Sequence, residues 1–352
     1  MLTHPARVNQ WAGDEEGHLV NSMERLRATL AGEATDRPLN FDIMMTFAAH
    51  HAGHRMRDYY LDHRALTDAN YRVVEDFGLD IVQAISDPYR EAADLGSDVE
   101  FPDDDQPLLA DPLLVERSSI DHLRLVDPGM GRRMSDRLAA LHDFRAKVGG
   151  EIPIMGWVEG AMAEAADLRG VSPIMIDVSE DPAWVHALLE FCTLQEIAFA
   201  EAQVDAGADI IGIGDAVTSL ISPAMYREFA LPYQRRIIDA VHSRGALARL
   251  HICGRTTHLL AEMAQTGADI IDVDSMVPFD VAAATVAPAA ICGNINPVTI
   301  LMQGTEDDVI AGTLECRLKG GERFIAMAGC EVPDATPPAN LRAQSRALAM
   351  AG

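Results

Sequence analysis

Three side chains in this sequence have the types and spacing to do chemistry together: His251 and Cys253 in His251-Ile252-Cys253-Gly254, and Cys330 in Met327-Ala328-Gly329-Cys330. In an extended strand, residues two apart project from the same face, so the imidazole and the first thiol point one way. Both motifs end apolar runs, which is the layout of a metal site closed by folding. Imidazole and thiolate ligands suit zinc, and three protein ligands with an open fourth position describe catalytic rather than structural zinc. An ion of that kind binds a small thiol and ionises it. A free thiol with a pKa near ~8.5 is only a few per cent thiolate at neutral pH, and lowering that value by about two units is worth roughly 2.7 kcal/mol. Thiol alkylation is the reaction this ligand set suggests. Zinc hydroxide chemistry suits it less, because two thiolates are unusual there and no general base stands out. From spacing alone, two buried small hydrophobes and a satisfied core histidine fit these positions equally well.

The elements that must position these residues form a repeated strand-then-helix pattern. Eight apolar segments run over 39–47, 80–86, 152–158, 208–215, 246–253, 268–275, 289–296 and 324–330. Most precede helical periodicity with a start signal, as at Ser222-Pro223, Thr305-Glu306-Asp307-Asp308 and Pro337-Pro338, and helices stop at Gly207, Gly245 and Gly267. Eight such units predict a (β/α)8 TIM barrel whose active site lies at the C-terminal ends of the strands. The expectation is one domain over 1–352, with an N-terminal helical extension over 1–38 packed on the barrel. An open doubly wound sheet is the alternative, and no early Gly-x-Gly-x-x-Gly supports it. Asp215, His251, Cys253, Asp272, Asp274, Asn294, Asn296 and Cys330 all fall in the last positions of their segments. The acidic stretch 91–106 reads as a surface excursion over the barrel mouth. His50, His51 and His54 have no cysteine or carboxylate beside them and read as a polar surface or lid.

Alternation predicts that Arg249, His251 and Cys253 share the inward face of the fifth strand, and Ile270, Asp272 and Asp274 that of the sixth. Asp274 then stands beside His251 and Cys253 as a displaceable fourth metal contact. Arg249, deep in the barrel, needs a partner; Asp272 supplies one, and anion binding is the other use for it. Cys292, Asn294 and Asn296 share a face of the seventh strand, and a bulge would break any of these assignments. Cys192 and Cys316 lie within helical periodicity and read as core.

The balance of 54 acids against 28 bases gives a formal charge of −26, so a polyanion such as nucleic acid is not an expected partner. Five cysteines with no export signal predict reduced thiols rather than disulfides. Residues 1–20 lack an apolar core, and the longest weakly polar stretch, 277–293, is broken by Pro278, Asp280 and Pro288. A cytoplasmic protein outside the membrane is expected.

His251-Ile252-Cys253-Gly254, the distant Gly329-Cys330 and Gly293-Asn294-Ile295-Asn296-Pro297-Val298 together resemble the methylcobalamin:coenzyme M methyltransferases of the uroporphyrinogen decarboxylase superfamily. Ser222-Pro223 through Leu231-Pro232-Tyr233, Trp157 to Gly170, and Met23-Glu24-Arg25 to Asp36-Arg37-Pro38 extend the resemblance over most of the chain. It implies that His251, Cys253 and Cys330 bind Zn²⁺ and that Asp215, Asn294 and Asn296 line the substrate pocket; Arg249, from its place on the inward face of its strand, is a further candidate for substrate binding. It further implies methylcobalamin on a corrinoid protein as methyl donor, and a small thiol such as coenzyme M as acceptor. Homo-oligomer formation is compatible with it. A metal-free tetrapyrrole decarboxylase of the same superfamily, or a corrinoid methyltransferase with a folate acceptor, are the alternatives. Glu331, where a small residue is expected, and Arg249, where an apolar one is expected, depart from the pattern.

Overall fold

The computed structural model describes residues 20–351; the stretch 1–19, on which the export reading rests, lies outside them. Among the described residues ten strands occur: β1 (Leu39–Asn40), β2 (Val82–Gln83), β3 (Asp98–Glu100), β4 (Leu108–Asp111), β5 (Ile154–Glu159), β6 (Ile210–Gly214), β7 (Leu247–Ile252), β8 (Ile270–Val273), β9 (Ala290–Ile295) and β10 (Phe324–Ala328). Eight of them form one sheet in the order β1-β10-β9-β8-β7-β6-β5-β2, paired in parallel throughout. Each of the eight apolar segments contributes one of these strands, and helices intervene between them, giving a TIM-like barrel. The first segment is shorter than its apolar run suggests. Its strand ends at Asn40, and Thr46–His51 is a helix.

The seam between β1 and β2 is closed by side chains as well as backbone: the Gln83 amide on β2 donates to the Asp42 carbonyl at 2.7 Å, and Asp80 makes a double link to Asn40. The backbone N–H of Asp80 donates to the Asn40 carbonyl at 2.9 Å, and the Asn40 N–H donates back to the Asp80 carboxylate at 2.9 Å. Arg37 adds bonds of 2.7 and 2.9 Å to that carboxylate, and the Ser22 hydroxyl one of 2.6 Å. Barrel closure therefore depends on the helix Ser22–Ala31 and the turn after it. The helix starts at Asn21 with a capping box to Glu24 and stops at Gly32 in the left-handed region. Its Met23 and Leu26 join Leu39, Ile81, Ile210, Ile270 and Ile325 in the barrel interior, plugging the N-terminal end.

Strands buried on both faces carry apolar residues on both. Met155, Trp157, Ile210, Ile270, Cys292 and Met327 fill the interior, while Ile211, Ile213, Leu250, Ile252, Ile271 and Ile291 pack outward beneath the helices. The 91–106 stretch is only partly a surface excursion. Arg90–Leu95 is a helix with Arg90, Glu91 and Ala92 buried, and the exposed part is the antiparallel β3/β4 hairpin. His50, His51 and His54 do not converge: each meets its own carboxylate, Asp334 and Asp104 for His50, Asp76 for His51 and Asp68 for His54.

Asp215 faces the helices, not the pocket that the resemblance implied. It follows the inward-facing Gly214, so alternation turns it outward, where it is fully buried. Its carboxylate accepts the Ala163 N–H at 3.0 Å, at the start of the helix Ala161–Arg169, and the Gln234 amide at 2.7 Å in the helix Leu231–Ser243. It ties β6 to two helices. Burial pushes its pKa up to about 7, with those two bonds pulling the other way.

Two outcomes follow for stability. Asp80→Ala removes the partner of the half-buried Arg37 and weakens the seam, and should cost about 3 kcal/mol in a urea titration. A carboxyl whose pKa is raised on folding contributes stability that is complete below about pH 4 and lost as pH rises through about 7. The stability of the wild type should thus fall relative to Asp215→Asn over that window, by on the order of 4 kcal/mol, in melts at stepped pH.

Candidate metal centre

Parallel register brings the site together. β7 pairs with β8 so that His251 stands opposite Asp272, and Arg249 opposite Ile270. Arg249, His251 and Asp272 all face inward and are buried. Cys253 follows the end of β7, and Cys330 lies two residues beyond β10, across the mouth. His251 Nε2 lies 3.0 Å from Cys253 Sγ, and Cys253 Sγ lies 3.3 Å from Cys330 Sγ. The three donor atoms are mutually within 4.8 Å. Zinc bonds of about 2.0–2.3 Å in a tetrahedron separate neighbouring donors by roughly 3.5 Å, so an outward shift of a few tenths of an ångström would seat an ion. The donor set fits zinc.

A second convergence, Asp62, His63 and Asp136, is half-buried. Its carboxylates already meet Arg64 and Arg137, which leaves less negative charge for a cation.

Backbone shape delivers Cys330 to its place. A Cβ at Gly329 would lie 2.3 Å from the Ser275 backbone nitrogen, so only glycine lets the chain after β10 pass the loop after β8 this closely. On the other side Trp157 of β5 stands beside His251, ring centres 5.8 Å apart. Its indole lies against bare backbone: a Cβ at Gly212 would sit 2.2 Å from the ring, and one at Gly214 2.8 Å. The indole N–H donates to Glu159 at 3.2 Å.

Electrostatics divides the two thiols. The hydrogen bond from Cys253 lowers the Cys330 pKa to about 4, with burial opposing and the bond and charge of His251 assisting. Cys253 is pushed the other way by its bond to Cys330 and by burial. Burial disfavours a charged His251, yet the sulfur of Cys253 and the bonds to Asp272 and both thiols raise its pKa well above the ordinary value. Burial likewise opposes ionisation of Asp272, but Arg249 and His251 outweigh it and hold that carboxyl below its usual range. These directions favour proton on His251 and charge on Cys330, and a bound cation would compete with that proton for the same donors.

The other residues expected at the site take different places. Arg249 is fully buried, and its Nε donates to both Asp272 oxygens at 2.9 Å, so it is an interior ion pair and not an anion-binding group at the pocket. Asp274 accepts the Gly254 N–H at 2.9 Å, and also bonds Ser275 and Met276. Its carboxylate is one residue from Cys253, outside the converging trio. Alternation in β9 breaks at Gly293, which has φ of 141°; Cys292 faces the interior while Asn294 turns outward to the Asp274 and Val277 carbonyls at 3.0 and 2.8 Å. Asn296 caps the turn Pro297–Met302 through the Val298 and Thr299 N–H groups. Glu331 accepts both the backbone N–H and the hydroxyl of Thr46, joining β10's end to the helix after β1. The bond from His251 Nδ1 to Asp272, at 2.8 Å, has no counterpart in the expectations from sequence. Its signal was present, because strict alternation on two neighbouring parallel strands places residues 251 and 272 at one level of one face.

The uroporphyrinogen decarboxylase (URO-D) family model matches residues 21–349. A methylcobamide:CoM methyltransferase of Methanosarcina mazei is 34% identical over 79% of this chain and 80% of its own length. A uroporphyrinogen decarboxylase of Frankia casuarinae is 28% identical over 73% of this chain and 70% of its own. The solved structure of a methyltransferase from Methanosarcina mazei superposes with a TM-score of 0.85 over 94% of this chain and 98% of that one, at 23% identity, and so shares the barrel. With the family matched along nearly all of the described residues and the methyltransferase at higher identity than the decarboxylase, this chain belongs to the uroporphyrinogen decarboxylase (URO-D) family, in its methyltransferase branch.

Proposed function

We propose that this chain, acting as one domain, transfers a methyl group from a methylated corrinoid to a small thiol at a zinc site held by His251, Cys253 and Cys330. The observation that carries the reading is the convergence of one imidazole and two thiols at the C-terminal mouth of the barrel. A zinc ion bound there would supply the acidity that turns an incoming thiol into a nucleophile at neutral pH.

The chain's own residues do the rest. Cys253 and Cys330 carry the negative charge that retains the cation, and His251 offers Nε2 because Nδ1 is engaged by Asp272. Trp157 walls one side of the mouth. Asp274, whose carboxylate accepts the N–H of Gly254 next to Cys253, is the group that would offer a bound ion a fourth, displaceable contact. In the transfer, the sulfur lone pair forms the new S–CH₃ bond. The cobalt–carbon bond breaks with both electrons left on cobalt as Co(I), and the thiol proton goes to solvent. Relatives named methylcobamide:CoM methyltransferases make coenzyme M the first acceptor to try and a corrinoid protein the natural donor. The cell interior is the proposed location; among the described residues no helix is long and apolar enough to cross a membrane.

Purified protein should contain about one zinc per chain by elemental analysis. Mixed with methylcobalamin and coenzyme M or another small thiol, it should convert the methylcobalt spectrum to that of Co(I). Stoichiometric zinc with no demethylation by any thiol would overturn the reading, and a folded, zinc-free protein that decarboxylates a tetrapyrrole would replace it with the decarboxylase alternative. Cys330→Ala removes the thiol that ionises most readily, and should cut metal content to a small fraction and transfer at least ~100-fold while the melting temperature of the metal-free protein stays within a few degrees.

A further inference from the structure

We infer that Asp272 is a positioning residue that orients the His251 ring for the metal, and that Arg249 fixes Asp272 from inside the barrel. The inference rests on the metal reading above and goes one layer beneath it.

The geometry is that of a rigid chain of three side chains. Asp272 has no solvent exposure, and its Oδ2 accepts the His251 Nδ1–H at 2.8 Å. Both of its oxygens accept from Arg249 Nε at 2.9 Å. Arg249 is in turn immobilised by the strands around it: Nη2 reaches the Phe41 carbonyl at 3.4 Å, Met327 sulfur at 2.7 Å and Cys292 sulfur at 3.8 Å, and Nη1 reaches Met155 sulfur at 3.5 Å. The guanidinium also stands 5.7 Å from the centre of the Phe41 ring. One residue of β7 thus touches residues on or beside β1, β5, β8, β9 and β10.

An ionised carboxylate only accepts hydrogen bonds. With Asp272 locked by Arg249, the His251 nitrogen facing it must carry a hydrogen, and Nε2 is the only nitrogen aimed at the thiols. The ring cannot flip without breaking the 2.8 Å bond and leaving a buried carboxylate short of a donor. Partners of this kind, outside the ligands themselves, typically change metal affinity 10- to 100-fold. Arg249 is what distinguishes this site from a simple carboxylate–histidine pair. It braces the carboxylate against the whole barrel rather than against one neighbouring strand.

The test uses the full-length chain and two readouts. The first is nitrogen-resolved proton NMR of histidine-labelled protein, with His251 assigned by its loss in His251→Gln. A slowly exchanging, downfield Nδ1–H is expected in the wild type with or without added zinc, and its loss is expected in Asp272→Asn. The second is zinc retention against an excess of chelator. Because Asp272→Asn alone leaves a buried guanidinium unpaired, the double variant Arg249→Met, Asp272→Asn removes both charges together and keeps the fold testable. Its zinc half-life should fall about 10- to 100-fold, and Asp272→Glu should recover part of it. A wild-type His251 with no protected Nδ1–H, or a folded double variant that holds zinc as long as the wild type, would overturn the inference. Wild-type protein that takes up no zinc would sink the metal reading instead, and the NMR measurement would still decide the orientation of the ring.

Discussion

A guanidinium enclosed in the middle of a barrel is the constraint on which the rest of this site depends. Arg249 lies among Met155, Cys292, Met327 and Phe41, none of which carries a formal charge at neutral pH. Removing it from water unpaired would cost several kcal/mol, so a carboxylate had to come from a neighbouring strand at the same level. Asp272 meets that need because the β7/β8 register sets it opposite His251, one pleat above Arg249. The same carboxylate then has an oxygen to spare for the imidazole. Neutralising the barrel's interior cation and orienting the ring at its mouth are one event.

The fold was legible because both of its signals are local. Apolar runs ending in polar residues mark strands that begin in a core and finish at a mouth, and capping residues such as Asn21, Ser222 and Thr305 mark where helices begin. The convergence of His251, Cys253 and Cys330 was legible for a related reason. Each lies at the end of its strand, and in a closed barrel all such ends share one rim. The closure itself was not legible. It rests on Asp80 acting as both backbone partner and side-chain partner of Asn40, and on the Gln83 amide reaching the Asp42 carbonyl, neither of which any periodicity encodes.

Residues assigned by alternation alone fared unevenly, and for physical reasons. Alternation held along β7 and β8, where the strands are regular through Asp272. It failed for Asn294, because Gly293 adopts a backbone conformation that turns the following side chain toward the helices. For Asp215 the pocket role implied by the resemblance is not met, since it stands on the outward face of its strand end and anchors two helices. A polar residue at the rim of a barrel can serve the mouth or the helix layer, and only its face decides.

The indole of Trp157 resting on Gly212 and Gly214 has a consequence for how such a site diversifies. On that flank Gly212 and Gly214 contribute backbone and no side chains, and Trp157 fills the space they leave, one pleat below Glu159 on its own strand. Enlarging either glycine is forbidden by collision with the ring. Shrinking Trp157 is not, and it would vacate the volume of an aromatic bicycle next to His251 without asking any strand to move. The opposite wall, where Gly329 is pressed against the Ser275 backbone, has no such freedom.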